Sequence, residues 1–248
     1  MAAGTGTEAY YRRRAREYDR VYDKPERQAD LAVLRTRVAS LLAGRRVLEV
    51  AAGTGWWTDV YADGARRVLA TDVNPETLAV ATARRGWPAS VRFAPCDAFE
   101  AAGLDGDFDA VFAGFFWSHV PLHRLDGLVA GLAGRLGEAD PHDGLPAGES
   151  DADPGYRPPG RLVFIDNRYV AGSNHPVTRR DEEGNTYQRR RLEDGSEWEV
   201  LKGFPTAAQV EARLAGPGAA VAVTVEELDY YWLAVCDLPA SGTTPAGA

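Results

Sequence analysis

Short apolar segments alternate with helical stretches through the middle of the chain. Strands are predicted at residues 46–51, 67–72, 91–95, 108–114 and 161–167. The stretches between them, at 57–63, 75–85 and 123–136, have the periodicity or the length of helices. Regular alternation of strand and helix favours a parallel sheet that helices cover on both faces.

The N-terminal pattern predicts two helices before the first strand. One face of the first helix, over residues 10–22, carries Tyr11, Ala15, Tyr18 and Tyr22. Their spacings of four, three and four are those of neighbours on a helix surface. A second helix is predicted from about residue 26 to 42. Residues 1–9 are small and polar, and they are expected to fray.

The last third of the chain contains two hairpin patterns. The β-rich runs at 219–227 and 230–237 predict an antiparallel hairpin that closes the sheet, after a helix at 206–214. The runs at 186–192 and 197–201 flank the tight-turn sequence EDGS. This second hairpin is expected to form an arm outside the main sheet.

The whole chain, residues 1–248, is interpreted as one domain with two insertions. Its length fits a single large α/β domain. Residues 137–160 are rich in Gly, Pro and acidic residues without periodicity, so we expect a solvated, mobile loop. Residues 168–202 are expected to be ordered and to form the arm.

Composition narrows the choice of partner and compartment. The net charge of −8 disfavours a nucleic-acid partner, since binding a polyanion depends on clustered positive charge. The chain contains neither a signal-peptide pattern nor an apolar run of the roughly 20 residues needed to cross a bilayer. Cys96 and Cys236 are far apart and fit no metal-ligand spacing. We therefore expect a cytoplasmic protein without a membrane or metal site.

The sequence VLEVAAGTGWWT at residues 47–58 carries the sharpest functional signal. An apolar strand ends near Glu49, the chain turns through Gly53 and Gly55, and a helix begins. Because glycine has no Cβ, such a turn can bring its backbone N–H groups against a ligand. Doubly wound sheets bind their ligands beyond the carboxyl ends of the strands. The motif predicts a nucleotide-like ligand there.

This segment resembles the first motif of the class I S-adenosylmethionine-dependent methyltransferases, E-x-G-x-G-x-G. It reads Glu49-Val50-Ala51-Ala52-Gly53-Thr54-Gly55, with Ala51 in place of the first glycine. The resemblance covers residues 47–167 and the terminal hairpin. It implies an α/β fold: a Rossmann-like, doubly wound sheet of seven strands, mostly parallel, with a C-terminal antiparallel hairpin and helices on both faces. It also implies S-adenosylmethionine as cofactor and S-adenosylhomocysteine as product.

The resemblance assigns roles to residues at the strand ends. It implies that Asp72 accepts hydrogen bonds from the ribose hydroxyls and that Asp97 meets the adenine amino group, while Glu49 holds the ligand's amino group through the backbone or a water. The implied cofactor contacts are Glu49, Ala51, Gly53, Gly55, Asp72, Val73, Asp97, Ala98 and Gly114, with Tyr18 from a helical lid at residues 1–43. Purely structural roles for the acids, as helix caps or loop anchors, stay open.

Two other functions compete with this interpretation. A nicotinamide-dependent oxidoreductase would carry G-x-G-x-x-G, but Thr58 stands at the third glycine position behind two bulky tryptophans. Those residues oppose the close packing that the third glycine allows. A non-catalytic S-adenosylmethionine-binding protein is the other alternative, and the intact acids Glu49, Asp72 and Asp97 argue against it.

Candidate catalytic and substrate-binding residues follow the fourth and fifth strands. His119 and Asp166 are the candidate bases, with Tyr169 as a further candidate, because His119 and Asp166 end strands that face the same cleft and histidine titrates near neutral pH. For His119 a structural turn is the alternative. Phe115, Trp117, Arg168 and Tyr169 are the candidate substrate contacts. The expected reaction methylates an O or N atom, rather than a C atom, of a small molecule, in a monomer or homodimer.

The arm is rich in arginine. Beyond Arg168 at its start, it carries five arginines, namely Arg179, Arg180, Arg189, Arg190 and Arg191. Such a cluster could bind a carboxylate or phosphate. Strand alternation would send Arg189 and Arg191 to one side and Arg190 to the other. Because acidic residues lie close by in sequence, a solvated, self-neutralising arm is the favoured interpretation. The arginine-rich, lysine-poor composition and the unusual arm are compatible with a role in secondary metabolism.

Overall fold

The predicted parallel strands form the centre of one seven-stranded sheet. The computed structural model describes residues 4–14, 18–104, 107–136, 159–216 and 222–239. The sheet strands are β1 (Arg46–Glu49), β2 (Arg67–Asp72), β3 (Val91–Pro95), β4 (Ala110–Gly114), β5 (Arg161–Asn167), β9 (Ala222–Glu227) and β10 (Tyr231–Asp237), and β6 to β8 belong to the arm below. Their spatial order is β3-β2-β1-β4-β5-β10-β9. Only β10 runs antiparallel to its neighbours β5 and β9. The expected fold class is confirmed.

Helices cover both faces of the sheet. They are α2 (Gln28–Leu42), α3 (Trp56–Tyr61), α4 (Pro75–Ala83), α5 (Leu125–Ala133) and α6 (Ala207–Ala215), whereas α1 (Gly4–Arg14) packs against the arm. The alternation of β1 shows how the core is divided: Val47 packs with side chains of α2 and α3, and the next residue, Leu48, packs with those of α5 and α6. Both residues are fully buried. No described helix has the length and apolar character of a membrane span.

The N-terminal segment differs from its prediction. The first helix covers Gly4–Arg14 rather than residues 10–22, and a 3-10 turn follows at Tyr18–Tyr22. The expectation that the first nine residues fray is therefore wrong from Gly4 onward. Tertiary packing is the reason, because Tyr10 is only 2% exposed and packs with Val200 and Trp198 of the arm. Local sequence carries no sign of that distant partner.

The arm is a separate three-stranded antiparallel sheet. It consists of β6 (Arg179–Arg180), β7 (Thr186–Arg191) and β8 (Glu197–Leu201), in that spatial order. The β7–β8 pairing confirms the hairpin predicted around the EDGS turn. Residues 137–158 of the predicted mobile loop lie outside the described residues, so that prediction stands as made.

The turn after β1 packs directly against α4. Gly55 has a left-handed backbone (φ 73°), and an added Cβ would lie 3.0 Å from the Ala81 Cβ. The last glycine of the motif is thus required for backbone conformation and for close packing between the turn and α4.

Replacing Gly55 by Ala should lower the free energy of unfolding by about 1–3 kcal/mol, because it combines left-handed strain with overpacking. Chemical denaturation of the purified protein measures this change. Gly127→Ala is the matched control, since Gly127 lies within α5 and nothing lies within 4 Å of an added Cβ. That variant should be neutral or slightly more stable. Equal destabilisation of both variants would contradict the packing argument.

Candidate active site

A cavity of about 540 Å³, the large cavity, opens where β1, β2, β3 and β4 end. Nine of the ten residues predicted to contact the cofactor line it: Glu49, Ala51, Gly53, Asp72, Val73, Asp97, Ala98, Gly114 and Tyr18. Gly55 does not line it, since its surface faces α4. The structure thus brings the strand-end motifs together around one space. Gly55 has a packing role against α4, and its ligand contact stays a prediction.

Glu49 is an acid held inside the protein at the wall of the large cavity. Only 1% of the residue is exposed, and its Oε2 accepts hydrogen bonds from Thr58 Oγ1 at 2.6 Å and Tyr61 OH at 2.7 Å. Burial raises the pKa of Glu49 to about 7, although both hydroxyls lower it. The carboxyl group is therefore poised between its neutral and charged forms near physiological pH, and a nearby cation would favour the charged form.

Asp72 combines a structural and a ligand-facing position. Its Oδ2 accepts from Gly53 N at 2.9 Å, and its Oδ1 accepts from Asn74 N at 2.8 Å. These bonds fix the glycine turn to the end of β2. Burial raises the pKa of Asp72, and the backbone hydrogen bonds oppose that shift. Each oxygen keeps further acceptor capacity for donors in the cavity.

Asp97, just after β3, likewise accepts a backbone hydrogen bond and lines the large cavity. Its Oδ1 accepts from Phe99 N at 3.0 Å, which caps the short helix beginning at Ala98. The structural alternative considered for Asp97 is therefore present in the structure. The residue also lines the large cavity, so capping and ligand contact are compatible here.

Two features test whether the cavity fits a nucleoside ligand. The side-chain oxygen Oδ1 of Asn74 is buried at the cavity wall without a hydrogen-bond partner among the described residues. A buried acceptor of this kind is suited to a ligand donor. At Gly114, which also lines the cavity, an added Cβ would lie 3.1 Å from the Trp57 ring, so glycine is required for the close packing of this part of the wall. The donors, acceptors and shape fit the predicted cofactor.

A second cavity of about 180 Å³, the small cavity, adjoins the large one. It lies between the N-terminal segment, the ends of β4 and β5, and the arm. Five residues line both cavities: Tyr11, Tyr18, Tyr22, Phe115 and His119. A molecule in one space would therefore lie next to a molecule in the other, with aromatic rings enclosing the boundary.

His119 occupies that boundary with both ring nitrogens engaged. Its Nδ1 lies 2.7 Å from the Leu201 carbonyl oxygen, and its Nε2 lies 2.7 Å from the Tyr11 hydroxyl. Because a carbonyl can only accept, Nδ1 carries the proton and Nε2 accepts from Tyr11. Burial, together with the positive charge of Lys202, lowers the pKa of His119 well below its usual value. The imidazole is neutral at pH 7, and its Nε2 lone pair faces the boundary.

Asp166 is corrected from a candidate base to a buried anchor. It is fully buried and lines neither cavity. Its carboxylate accepts from the Ser118 N–H and hydroxyl, both at 2.8 Å, and from Lys202 Nζ at 3.1 Å. Burial opposes ionisation, but the charge of Lys202 and the backbone N–H groups of Ser118 and Asn167 hold the pKa of Asp166 below its ordinary value. The carboxylate is thus charged at neutral pH and occupied by donors.

Three predicted substrate contacts also lie elsewhere. Trp117 is 2% exposed and packs against Phe164 and Trp232 in the core. Arg168 bonds to Glu227 and to the Leu228 carbonyl at the end of β9. Tyr169 is 47% exposed, with its ring against Phe204. None of the three lines either cavity. Of the four predicted contacts, only Phe115 does so.

The arm arginines divide as strand alternation predicts. Arg190 lines the small cavity, whereas Arg189 is exposed. Arg179 pairs with Glu199 on the surface, as the self-neutralising interpretation requires. That interpretation is wrong for Arg190, because Glu193 and Asp194 of the turn pair with Arg20 and Arg13 of the N-terminal segment instead.

Sequence reasoning missed several residues of the small cavity. Lys24 and Arg27 follow the first helical segment, Arg14 ends α1, and Lys202 follows β8. Lys24 and Lys202 are the only lysines of the chain, and both line this cavity. That scarcity was the one sequence signal that could have marked them.

Comparison with known proteins agrees with the cavity geometry. A methyltransferase-domain family matches residues 47–137. A demethylmenaquinone methyltransferase of Clavibacter sepedonicus is 34% identical over 99 residues, which cover 39% of this chain and 40% of that protein. The match thus spans about two fifths of that relative.

Two similar crystal structures extend over nearly the full length. The DhpI complex with SAH is 27% identical, covers 96% of this chain and 98% of its own, and has a TM-score of 0.69. The DhpI complex with SAM and HEP is also 27% identical, covers 95% and 99%, and has a TM-score of 0.71. Residues 47–137 therefore match a methyltransferase domain, and nearly the full length of the chain has the fold of S-adenosylmethionine-dependent methyltransferases. These similarities favour the methyltransferase interpretation over the nicotinamide-dependent oxidoreductase.

S-adenosylmethionine is accordingly the cofactor of this methyltransferase. The large cavity would hold it, with Asp72 and Asp97 as acceptors for its hydroxyl and amino groups and Glu49 beside its positive charge. The small cavity adjoins the large one at a boundary that includes Phe115 and His119.

Affinity for S-adenosylhomocysteine should rise between pH 6 and pH 8. Glu49 has a pKa of about 7 without ligand, and the ligand's ammonium group stabilises the carboxylate. Below pH 7, binding must therefore release a proton. If binding requires the charged form of Glu49, affinity for S-adenosylhomocysteine falls about tenfold from pH 8 to pH 6.

Calorimetric titration in buffers of different ionisation enthalpy measures both the affinity and the released proton. Glu49→Gln cannot ionise, so it should bind with a flat pH profile over the same range. An unchanged pH dependence in that variant would assign the effect to another group.

Proposed function

We propose that this methyltransferase moves a methyl group from S-adenosylmethionine to an O or N atom of a small molecule bound in the small cavity. The observation that carries the proposal is the shared wall between the two cavities. Tyr11, Tyr18, Tyr22, Phe115 and His119 line both, so cofactor and acceptor would meet across them. The volume of about 180 Å³ suits a small acceptor rather than a polymer segment.

The bound cofactor supplies a sulfonium whose methyl group is strongly electrophilic. The protein's task is then alignment, since nucleophile, methyl and sulfur must be nearly collinear, and orientation supplies a large share of such accelerations. Tyr22 stacks on Trp56 with ring centroids 4.0 Å apart, and Phe115 packs edge-to-face on Tyr22. These rings form a rigid, apolar boundary that keeps water from the reacting atoms.

His119 is suited to removing the proton from a hydroxyl or amine. Its Nε2 lone pair is available at neutral pH and receives a hydrogen bond from Tyr11. An incoming acceptor hydroxyl or amine could take the place of the Tyr11 hydroxyl. A base is of most use where the nucleophile carries a proton, which favours O or N methylation over C methylation.

The comparisons lend further support to a small acceptor. DhpI was crystallised with SAM together with HEP, and this chain resembles that complex over 95% of its length. A cytoplasmic location, a monomeric or homodimeric state and a role in secondary metabolism remain predictions from the sequence. A non-catalytic binding protein is the remaining alternative, and turnover of any acceptor would exclude it.

Replacing His119 by Ala should lower kcat by about 10²–10⁴ while S-adenosylhomocysteine still binds. Release of S-adenosylhomocysteine with a panel of small alcohols, phenols and amines measures turnover. His119→Asn provides the matched comparison, because its amide can still donate to the Leu201 carbonyl but cannot act as a base. If His119→Asn retains wild-type kcat, His119 is structural.

The wild-type rate should stay level as the pH falls from 7.5 to 6. Because the pKa of His119 lies well below its usual value, the base remains unprotonated over this range. A histidine with the ordinary pKa of about 6.5 would lose about fourfold. A steady-state pH profile at saturating cofactor measures this, and a decline centred near pH 6.5 would contradict the assignment.

A further inference from the structure

The small cavity is lined by positive charge in an acidic protein. Six basic side chains line it: Arg14, Arg20, Lys24, Arg27, Arg190 and Lys202. No aspartate or glutamate is among the described residues that line it. The whole chain carries a net charge of −8, so the charge of this cavity wall is opposite in sign to that of the protein as a whole.

Most of these charges lack a counter-ion within the described ranges. Arg20 pairs with Glu193 and Lys202 pairs with Asp166. The other four, Arg14, Lys24, Arg27 and Arg190, form no ion pair with a described acid. Removing unpaired charge from water is costly, so a partly buried group of like charges, with Arg27 only 4% exposed, favours binding of an opposite charge from outside the chain.

Neutral side chains hold two of the arginines in place. Arg27 is only 4% exposed and donates to Ser173 Oγ and Asn167 Oδ1 at 2.9–3.0 Å, with Tyr230 and Tyr231 stacked below it. Arg190 donates to Gln188 Oε1 at 2.7 Å. These contacts fix both guanidinium groups without cancelling their charge, which prepares them for an anion.

Arg190 also has a hydrogen-bond donor that no described residue satisfies. Its Nε is buried and has no hydrogen-bond partner among the described residues. A buried donor left unsatisfied costs free energy unless a ligand accepts from it. His175 lies in the same wall, and its pKa is lowered first by burial and then by the positive charges of Arg190 and Lys24. The cavity wall is therefore electropositive at His175 as well.

We propose that the small cavity binds an anionic oxygen group of the acceptor, a carboxylate or a phosphoryl group, through Arg190 with Arg27 and Lys24 beside it. This inference rests on the proposed function, since it describes the acceptor of the same reaction. The anionic group lies toward the arm, and the atom to be methylated lies toward His119 and Phe115.

Binding of inorganic phosphate and of acetate to the S-adenosylhomocysteine-saturated protein tests the site without turnover. The readout is the thermal midpoint at constant ionic strength, with chloride as the compensating ion. Phosphate or acetate should raise the midpoint in a saturable manner. Comparison of the two ions distinguishes a phosphoryl site from a carboxylate site. No saturable effect of either ion would overturn the proposal.

Arg190→Met should weaken the binding of the preferred ion about tenfold or more, because it removes a charge-assisted donor pair. Arg189→Met is the matched control, since Arg189 is the neighbouring residue of β7 and points to solvent. If Arg190→Met does not fold, Lys24→Met serves instead, because Lys24 is half-buried and contributes positive charge to the same cavity. Equal affinity in Arg189→Met and in the cavity variants would contradict the assignment.

Turnover separates this inference from the function on which it rests. Acceptor acids are compared with their neutral amides or esters. Turnover of the acids alone supports both proposals, whereas equal turnover of the neutral compounds overturns the anion site and leaves the methyl transfer intact. Saturable anion binding that is lost in Arg190→Met, without turnover of any acceptor, supports the anion site and contradicts the proposed function.

Discussion

A lysine and an aspartate, both removed from water, join the arm to the central sheet. Asp166 ends β5, Lys202 follows β8, and Ser118 lies in the turn after β4; their side chains meet in one network. Burying these charges is tolerable only because each has a partner and further hydrogen bonds. Breaking the pair would leave an uncompensated charge, so the network fixes where the arm lies. The small cavity exists because the arm is held there.

The same joint positions His119. The backbone of the preceding residue, Ser118, is bound on both sides: its N–H donates to Asp166, and its carbonyl accepts from Gly203 N at 2.7 Å. The histidine ring is then fixed by the Leu201 carbonyl of β8. The buried ion pair between Asp166 and Lys202 therefore positions both His119 and the Leu201 carbonyl to which it bonds. Asp166 acts on the site through position and charge, without touching either cavity.

Backbone strain lies at two strand ends that line the cavities. Ala51 and Phe115 have left-handed conformations with φ of 53° and 59°, which cost about 1–2 kcal/mol each for residues with a Cβ. Phe115 is kept in place by a hydrogen bond from its N–H to the Ile165 carbonyl at 2.7 Å and by ring contacts with Tyr22 and Tyr231. Strain that packing maintains at a ligand-facing position is characteristic of functional sites.

The sequence predicts the sheet and the strand ends that line the large cavity well, and the walls of the small cavity poorly. Strand-end motifs such as Glu49 and Asp72 are local, since each lies within a few residues of the turn that presents it. The small cavity is built from residues far apart in the chain, such as Arg27 with Ser173 and His119 with Leu201. Asp166 and Trp117 follow their strands as expected, but side-chain direction sends them into the core. That direction depends on tertiary packing, which periodicity does not report.

Charge is separated along the cleft in a way that suits methyl transfer. Glu49, Asp72 and Asp97 face the large cavity, which would hold the cationic cofactor, and basic side chains face the small one. The boundary between them consists of aromatic side chains and His119, which keep the two sets of charges apart. An acceptor held by an anionic group at Arg190 would keep that group away from the sulfonium. Its other end would then be the part presented to the methyl group, so the electrostatic field that attracts the acceptor would also orient it.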